Sequence, residues 1–135
     1  MPPSPDESQA LTEEPDLVIC HFRGHVTADV MRRLYDVQLR FSEGKSRLFL
    51  LLDVHHLVDL TPEARRVVLE GPGGKGEIVP IAGCAFVGAS FHIRVVGTMV
   101  FRAARVMRAM SAFPVRFCDT EPEARAFLDD LRLPA

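Results

Sequence analysis

Long apolar runs are missing from this sequence. The longest stretches, residues 48–52 and 78–91, fall short of the roughly 20 apolar residues that a membrane-spanning helix requires. We therefore expect no integral membrane association. The first 16 residues, MPPSPDESQALTEEPD, also lack the basic start and the apolar centre of a secretory signal, so a cytoplasmic location is predicted.

Cysteine is scarce, and its distribution gives no disulfide framework. The three cysteines, Cys20, Cys84 and Cys118, are odd in number and far apart, and each lies within an apolar, strand-like run. Cysteine in such a run behaves as a small hydrophobic residue. We predict three reduced core residues, and no redox chemistry is indicated.

A concentrated excess of basic charge is also missing. The chain has 16 basic and 18 acidic residues, and five of the acids lie in residues 1–16, which contain no base. The remainder therefore holds 13 acids against 16 bases, a mild basic excess. A dedicated nucleic-acid-binding domain shows much more concentrated positive charge, so no nucleic-acid partner is expected.

The composition is that of one globular domain. Hydrophobic residues make up 47% and charged residues 25% of a 135-residue chain, which is long enough to bury a core without disulfides or metals. The proline-rich, acidic residues 1–15 are predicted to form a mobile tail. The domain is then predicted to span residues 16–135.

Strand and helix patterns alternate along this domain. Strands are predicted at residues 16–22, 47–54, 80–88 and 113–119, and each is followed by a helical pattern. The helices begin at residues typical of helix caps: Thr27, Thr61 before Pro62, Ser90, and Thr120 with Glu123. This alternation predicts an α/β fold with an open, mainly parallel sheet of four to five strands and about four helices.

Polar side chains gather where the predicted strands end. Residues 55–59 are predicted to form the exit loop of the second strand, between Asp53 and Thr61. We call the polar residues that follow the strands the polar rim, and besides Asp53 and Thr61 they are His55, His56, Asp59, Ser90, His92, Asp119 and Thr120. Ligands of parallel sheets bind at this edge. A hydrolase would use Ser90 as the nucleophile with a histidine and Asp53 or Asp119, but the G-x-S-x-G motif is lacking, and helix capping accounts for Ser90 and Thr61.

No cofactor or metal site is predicted from the spacing. Neighbouring histidines on a strand point to opposite faces, which argues against Cys20, His21 and His25 or His55 and His56 as ligand sets. The glycine-rich GPGGKGE, residues 71–77, has Glu77 where a phosphate loop needs lysine and a hydroxyl. We predict a flexible connector there.

The helix predicted at residues 94–110 is apolar on one arc and basic on the other. At about 100° per residue, the arc predicted to face the core holds Val95, Val96, Met99, Val100, Ala103, Val106, Met107 and Met110. The opposite arc holds Arg94, Thr98, Phe101, Arg102, Arg105 and Arg108, and no acid lies on the helix. A solvated face is one interpretation. Because an aromatic among arginines is enriched at interface centres, we hypothesise a contact with a second copy, giving a homodimer, with a protein partner or with an anionic surface.

Four segments together carry a family resemblance: EEPDLVICHFRGHVT, FLLLDVHHLVDLTPEARR, IAGCAFVGASFHIRVV and VRFCDTEPEARAFL. Over about residues 15–133 the chain resembles the STAS-like group, the sulfate-transporter and anti-sigma-factor-antagonist fold. It is most similar to the bacterial branch of small stand-alone domains around the sporulation anti-anti-sigma protein. The resemblance implies a non-enzymatic regulatory domain whose partner is a protein, such as an anti-sigma factor or a kinase. We expect the contact surfaces at residues 59–65 and 94–108.

The resemblance also gives Thr61 a role. In that branch a D-S-S-G motif begins a helix after the central strand, and a partner kinase phosphorylates its second serine. Asp59, Leu60, Thr61 and Pro62 align with this motif, which places Thr61 at the phosphoserine. Leu60 and Pro62 depart from it, and Pro62 is typical of a first helical residue, so Thr61 is either a helix cap or a phosphorylation switch.

A second function follows from the same fold. The branch is similar in fold to CRAL-TRIO-type lipid carriers, which implies an apolar small molecule as the ligand. Four methionines could line an adaptable pocket for it: Met31, Met99, Met107 and Met110. At helical spacing, however, such residues more often belong to the core.

Overall fold

The structure, a computed structural model, describes residues 8–71, 79–106 and 113–133, with side chains described up to residue 103 in the second range. Within these ranges five strands form one sheet in the order β1-β2-β3-β4-β5. The strands are β1 (Gln9–Glu13), β2 (Leu17–Val26), β3 (Leu48–Leu60), β4 (Ile81–Val87) and β5 (Val115–Cys118). The helices are α1 (Ala28–Ser42), α2 (Pro62–Glu70), α3 (Phe91–Val106) and α4 (Glu121–Arg132).

Strands β2 to β5 are parallel to one another, and β1 pairs antiparallel with β2. This arrangement confirms the predicted α/β fold with a mainly parallel sheet. No helix among the described residues is long and apolar enough to cross a membrane.

The central strand β3 is apolar on both faces because helices cover both sides of the sheet. Leu50 and Leu52 belong to the core under α1, α2 and α3, whereas Phe49 and Leu51 belong to the core under α4. The alternation follows from the period of two in a strand. The three cysteines are buried and unpaired, as predicted: Cys20, Cys84 and Cys118.

Helices begin at one edge of the sheet, where the parallel strands end. Each of the four predicted cap residues accepts a hydrogen bond from the backbone N–H three positions later, which confirms the caps. The pairs are Thr27 with Val30 (3.3 Å), Thr61 with Ala64 (3.2 Å), Ser90 with Ile93 (3.2 Å) and Thr120 with Glu123 (3.3 Å). The polar rim therefore lies at the carboxyl ends of β2 to β5.

The N-terminal segment differs from the prediction of a mobile tail over residues 1–15. Residues 9–13 form β1, which pairs with the free edge of β2, and Ser8 is buried, with its Oγ accepting a hydrogen bond of 2.9 Å from the Arg23 backbone N–H. Arg125 of α4 binds both carboxylate oxygens of Glu13, at 2.9 and 2.8 Å. Pairing with β2 gives the backbone N–H and C=O groups of β1 hydrogen-bond partners within the protein, whereas those of a mobile tail would be hydrated. Residues 1–7 lie outside the described part.

The prediction of an exit loop at residues 55–59 was also wrong, because these residues belong to β3. This strand continues to Leu60, since β2 continues beside it and pairs His25 with Asp59 and Val26 with Leu60. Register shifts on either side of Arg23 accommodate the polar sequence. The polar residues after Asp53 are therefore held by backbone pairing.

Helix α3 is rotated relative to the prediction. Val95 and Met99, expected in the core, are exposed, whereas Ile93 is buried and Phe101, expected on the basic surface, packs against the core. The Phe101 ring makes edge contacts with the Phe86 and Phe113 rings, at centroid distances of 5.5 and 6.2 Å. Apolar residues occur almost all round this helix, so packing rather than periodicity sets the buried side. Val96 and Val100 are half-buried.

Several predictions fall outside the described residues. The connector at residues 72–77, Met107, Arg108 and Met110 are among them. The backbone of Arg105 is described as part of α3, but its side chain is not.

Candidate functional site

A carboxylate at the end of the apolar part of β3 joins two histidines. Oδ1 of Asp53 accepts a hydrogen bond of 3.1 Å from the backbone N–H of His55 and lies 2.8 Å from its Nδ1. Oδ2 lies 3.2 Å from Nδ1 of His21, the residue opposite Asp53 on β2. We call His21, Asp53 and His55 the histidine–aspartate cluster. The sequence indicated Asp53 and His55, whereas the partnership with His21 depends on strand register.

The cluster holds its carboxylate in the ionised form. Burial acts to raise the pKa of Asp53, but hydrogen bonds from the His55 backbone and ring, with attraction from His55 and His21, lower the pKa overall. Asp53 therefore orients the imidazoles and is unsuited to donate a proton at neutral pH. His56 stands beside the cluster, with its ring centroid 6.3 Å from that of His55, and is exposed.

A second polar group lies where β3 passes into α2. Nδ1 of His25 lies 2.6 Å from Oδ1 of Asp59. The backbone N–H of Thr61 donates to the Val26 carbonyl (3.0 Å), and one turn later the N–H of Arg65 donates to the Thr61 carbonyl (3.0 Å). We call Asp59, Thr61 and Arg65 the β3–α2 junction. Arg65 thus lies one helical turn after Thr61.

The structure divides the predicted rim cluster. Ser90 and His92 lie at the start of α3, and Ser90 Oγ accepts its hydrogen bond from Ile93. Among the described residues, no hydrogen bond links Ser90 to a histidine or to Asp53. The described residues therefore give Ser90 no hydrogen-bonded general base, which the hydrolase interpretation would need. The same part of the chain contains no group of three or more histidine, cysteine or acidic residues placed to hold a metal ion.

A largely apolar cavity of about 90 Å³ lies on the other side of the sheet from the cluster, among α1, α2 and α3. Its apolar lining includes Met31, Leu34, Leu52, Ile81, Phe86 and Val100, and its polar lining residues are Tyr35, Gln38, Asp59, Arg65 and His92. Met31 therefore lines the cavity, as the apolar-ligand interpretation required, whereas Met99 is exposed.

Two polar residues of this cavity were missed by the sequence analysis. Gln38 is 3% exposed, and its Nε2 has no hydrogen-bond partner. Burial, with the nearby Cys20 and Cys84, raises the pKa of Tyr35, so its hydroxyl stays protonated. Gln38 follows Met31 and Leu34 at helical spacing on the buried side of α1. A polar residue at a position where the helical spacing predicts a buried side chain could have identified Gln38 from the sequence.

The comparisons with known proteins add a fold but no assigned function. No family model matches the sequence, and no curated protein matches it. Among solved structures, the chain is similar to an uncharacterized protein of the DUF3478 family with a SpoIIAA-like fold from Shewanella loihica PV-4. The TM-score is 0.63 at 15% identity, covering 90% of this chain and 91% of that one.

A second solved structure is similar over the same share of the chain. It is the anti-sigma factor antagonist SpoIIAA in its unphosphorylated form, with a TM-score of 0.54 and 14% identity, covering 90% of this chain and 97% of that one. The protein therefore has a SpoIIAA-like, or STAS-like, fold. This confirms the fold that the sequence resemblance implied.

Proposed function

We propose that the protein is a non-enzymatic regulatory domain that acts by binding another protein, in the manner of an anti-sigma-factor antagonist. The fold supports this class of function. The polar rim also supports it, because Ser90 and Thr61 serve as helix caps and Asp53 is held by two histidines. A binding role needs an exposed contact surface, and α3 supplies one.

The exposed side of α3 carries the proposal. Phe91, Val95 and Met99 are 82%, 41% and 65% exposed and follow one another at four-residue spacing, so they form one stripe. Arg94 and Arg102 flank the stripe, and no acidic residue occurs in α3. We call Phe91, Arg94, Val95, Met99 and Arg102 the α3 face. An apolar centre with a basic border fits a protein partner whose own apolar patch has an acidic border.

A second copy of the chain is a less suitable occupant of this face. In a two-fold symmetric contact the same patch meets itself, so Arg94 and Arg102 of both copies would approach one another. Like charges at an interface oppose association. The homodimer stays a prediction, and the partner proposed for the α3 face is a different protein, such as an anti-sigma factor or a kinase.

The β3–α2 junction is the proposed control point. A phosphate on Thr61 would lie at the N-terminus of α2, where backbone N–H groups and the helix dipole favour negative charge, with Arg65 on the following turn. It would also lie two residues from the carboxylate of Asp59. Because α2 packs against α3, new charge at the junction is close to the proposed contact surface.

Affinity capture from the native cell tests the proposal. Met99→Asp places a negative charge in the α3 face, and Leu133→Asp makes the same kind of change at an exposed residue after α4, on the opposite side of the sheet. We expect one partner that is retained by wild type and Leu133→Asp, lost with Met99→Asp, and released by salt. A partner retained equally by all three proteins would contradict the use of the α3 face.

A second candidate function is an apolar-ligand module, and the cavity under α1, α2 and α3 favours it. Small-molecule sites are concave and are lined mainly by apolar side chains with a few polar groups. A cavity of about 90 Å³ with a mainly aliphatic and aromatic lining fits that description. This function is compatible with partner binding, because Arg65 and Asp59 line the cavity and also belong to the β3–α2 junction.

A further inference from the structure

The cavity among α1, α2 and α3 opens to solvent at the polar rim. Of its described lining residues, Arg65 and His92 are exposed, whereas the others are buried or half-buried. An exposed lining residue lies where the cavity meets solvent. Arg65 is the fourth residue of α2 and His92 is the second residue of α3. Because both helices begin at the polar rim, the mouth of the cavity lies between their first turns.

The mouth carries a positive charge that the described residues do not neutralise. Asp59 also lines the cavity, but its Oδ1 already lies 2.6 Å from Nδ1 of His25. The side chains of Arg65 and His92 have no hydrogen-bond or ion-pair partner in the described part of the chain. A guanidinium matches the geometry of a carboxylate, and an imidazole N–H can donate a further hydrogen bond. The mouth therefore suits an anionic group.

Behind the mouth the lining is mainly apolar, with Leu34, Leu52 and Ile81 among the buried residues. The polar side chains of the lining allow water to enter when no ligand is bound. An apolar group that displaces poorly ordered water gains affinity. The interior therefore suits an alkyl chain, attached to the anionic group at the mouth.

The ligand is also limited in charge and in size. A single arginine suits one negative charge, because a second one, as on a phosphate, would be repelled by the carboxylate of Asp59 on the same cavity. A cavity of about 150 Å³ holds benzene, so a volume of about 90 Å³ corresponds to about four carbon atoms. A longer chain would have to extend beyond the enclosed space.

We propose that the cavity binds a short-chain aliphatic carboxylate. The carboxylate accepts hydrogen bonds from Arg65 and His92 at the mouth, and the alkyl chain contacts the apolar lining. This inference rests on the second candidate function, the apolar-ligand module, and adds the chemical class of ligand and the residues that select it.

The test compares probes that differ in one property at a time. Pentanoate and pentanamide have nearly the same shape, but at neutral pH the first is an anion and the second is uncharged. Acetate has the carboxylate and lacks three CH₂ groups of the chain. Each is titrated into the full chain at constant ionic strength, and binding is followed through the methyl NMR signals of the cavity-lining leucine, valine and isoleucine residues.

The charge is tested with two variants of neighbouring arginines. Arg65→Gln removes the charge at the mouth, and Arg66→Gln removes the same charge from an exposed residue of α2 that does not line the cavity. We expect Arg65→Gln to lower the affinity for pentanoate by about threefold to tenfold, the modest effect of an exposed ion pair with good geometry. Its affinity for pentanamide, and both affinities of Arg66→Gln, are expected to change by less than about twofold.

The cavity itself is tested with Gly97→Leu. Gly97 lines the cavity, and a Cβ atom there would lie 4.0 Å from Cζ of Phe86, which lines it too. A leucine at this position occupies the space, and its higher helix propensity favours retention of the fold, which the dispersion of the amide NMR signals checks. Pentanoate and pentanamide are both expected to lose their binding. Acetate is expected to bind wild type at least about tenfold more weakly than pentanoate, since each buried CH₂ contributes to affinity.

The outcomes separate the inference from the function on which it rests. If Gly97→Leu abolishes binding of both longer probes but Arg65→Gln leaves their ratio of affinities unchanged, the apolar-ligand function stands and carboxylate selection is overturned. Pentanoate binding that persists in Gly97→Leu, or that acetate matches, would also overturn the inference. If neither longer probe perturbs the cavity signals, the cavity holds water only, and the apolar-ligand function fails with the inference. The proposal of partner binding through the α3 face is unaffected by these results.

Discussion

The ring of His55 lies directly against Gly88, so closely that a Cβ atom at position 88 would be 2.3 Å from Cδ2 of the imidazole. Gly88 also has a φ of +75°, a conformation that residues with a Cβ rarely adopt. The glycine that follows β4 thus sets the position of a histidine on β3. Through His55 it supports the histidine–aspartate cluster.

Substitution of Gly88 tests this support against a matched control. Gly44 has the same φ of +75°, but nothing lies within 4 Å of a Cβ built there. Gly44→Ala is expected to lower the free energy of unfolding by about 1 kcal/mol through backbone strain alone. Gly88→Ala is expected to cost about 2–3 kcal/mol, because it also displaces His55 from Asp53. Urea denaturation measures both values, and equal costs would contradict the close approach.

The lowered pKa of Asp53 predicts a pH dependence of stability. A carboxyl whose pKa is lower in the folded than in the unfolded protein adds stability that is complete above its ordinary pKa of about 3.9. That contribution is lost as the pH falls through the folded value. We expect Asp53→Asn to be less stable than wild type at pH 7, and the difference to shrink as the pH falls below about 4. Urea denaturation between these pH values gives the two curves, and parallel curves would exclude the contribution.

Two ion pairs made by α4 are predicted to differ in strength because they differ in burial. Arg132 donates from Nη2 to Oδ1 of Asp16 at 2.8 Å, and Asp16 is 7% exposed. Arg125 donates to Glu13 at 2.8 and 2.9 Å in an exposed pair. Arg132→Gln leaves a buried carboxylate without its partner and is expected to cost about 2 kcal/mol, allowing for the partial exposure of the arginine.

Arg125→Gln provides the control on the same helix. It is expected to cost about 0.5 kcal/mol, since exposed pairs are screened by water. Raising the salt concentration should reduce this smaller value further. Equal costs for the two variants in chemical denaturation would show that burial does not distinguish the pairs.

The role of Thr61 can be separated from capping because three threonines cap helices in the same way. Thr27→Ala, Thr61→Ala and Thr120→Ala are each expected to lower the free energy of unfolding by about 1 kcal/mol. Intact-mass measurement of protein from the native cell is expected to show an added phosphate that Thr61→Ala alone removes and Thr61→Ser keeps. An unmodified wild-type chain under all growth conditions would leave Thr61 as a cap only.

Local sequence chemistry predicted the main strands and the helix starts. The cap residues, with Pro62 at the first helical position, lie where the sequence placed them, because capping depends on the few residues around the helix start. The apolar runs of β3 and β4 were equally clear, since both faces of these strands are buried. The adjacency of Asp53 and His55 is likewise a local feature.

The remaining features depend on contacts between distant parts of the chain. Strand β1 forms because the edge of β2 is free to pair, and neither the acidic residues around β1 nor the proline at position 15 indicates that pairing. The link between His21 and Asp53 requires the register of β2 on β3. The prediction that Phe101 lies on the surface was wrong. The sequence pattern of α3 does not determine which side of the helix is buried, and that side is set by contacts of Phe101 with the distant residues Phe86 and Phe113. Gln38 was missed because a buried amide without a partner departs from ordinary core composition.

Hydrogen–deuterium exchange of the protein, alone and in complex with the captured partner, measures whether an acidic-bordered protein partner binds the α3 face. We expect slower exchange on binding in peptides that cover α3 and the β3–α2 junction, with α4 unchanged. Slower exchange confined to α4 and β1, with α3 unchanged, would show that the α3 face is not the contact surface.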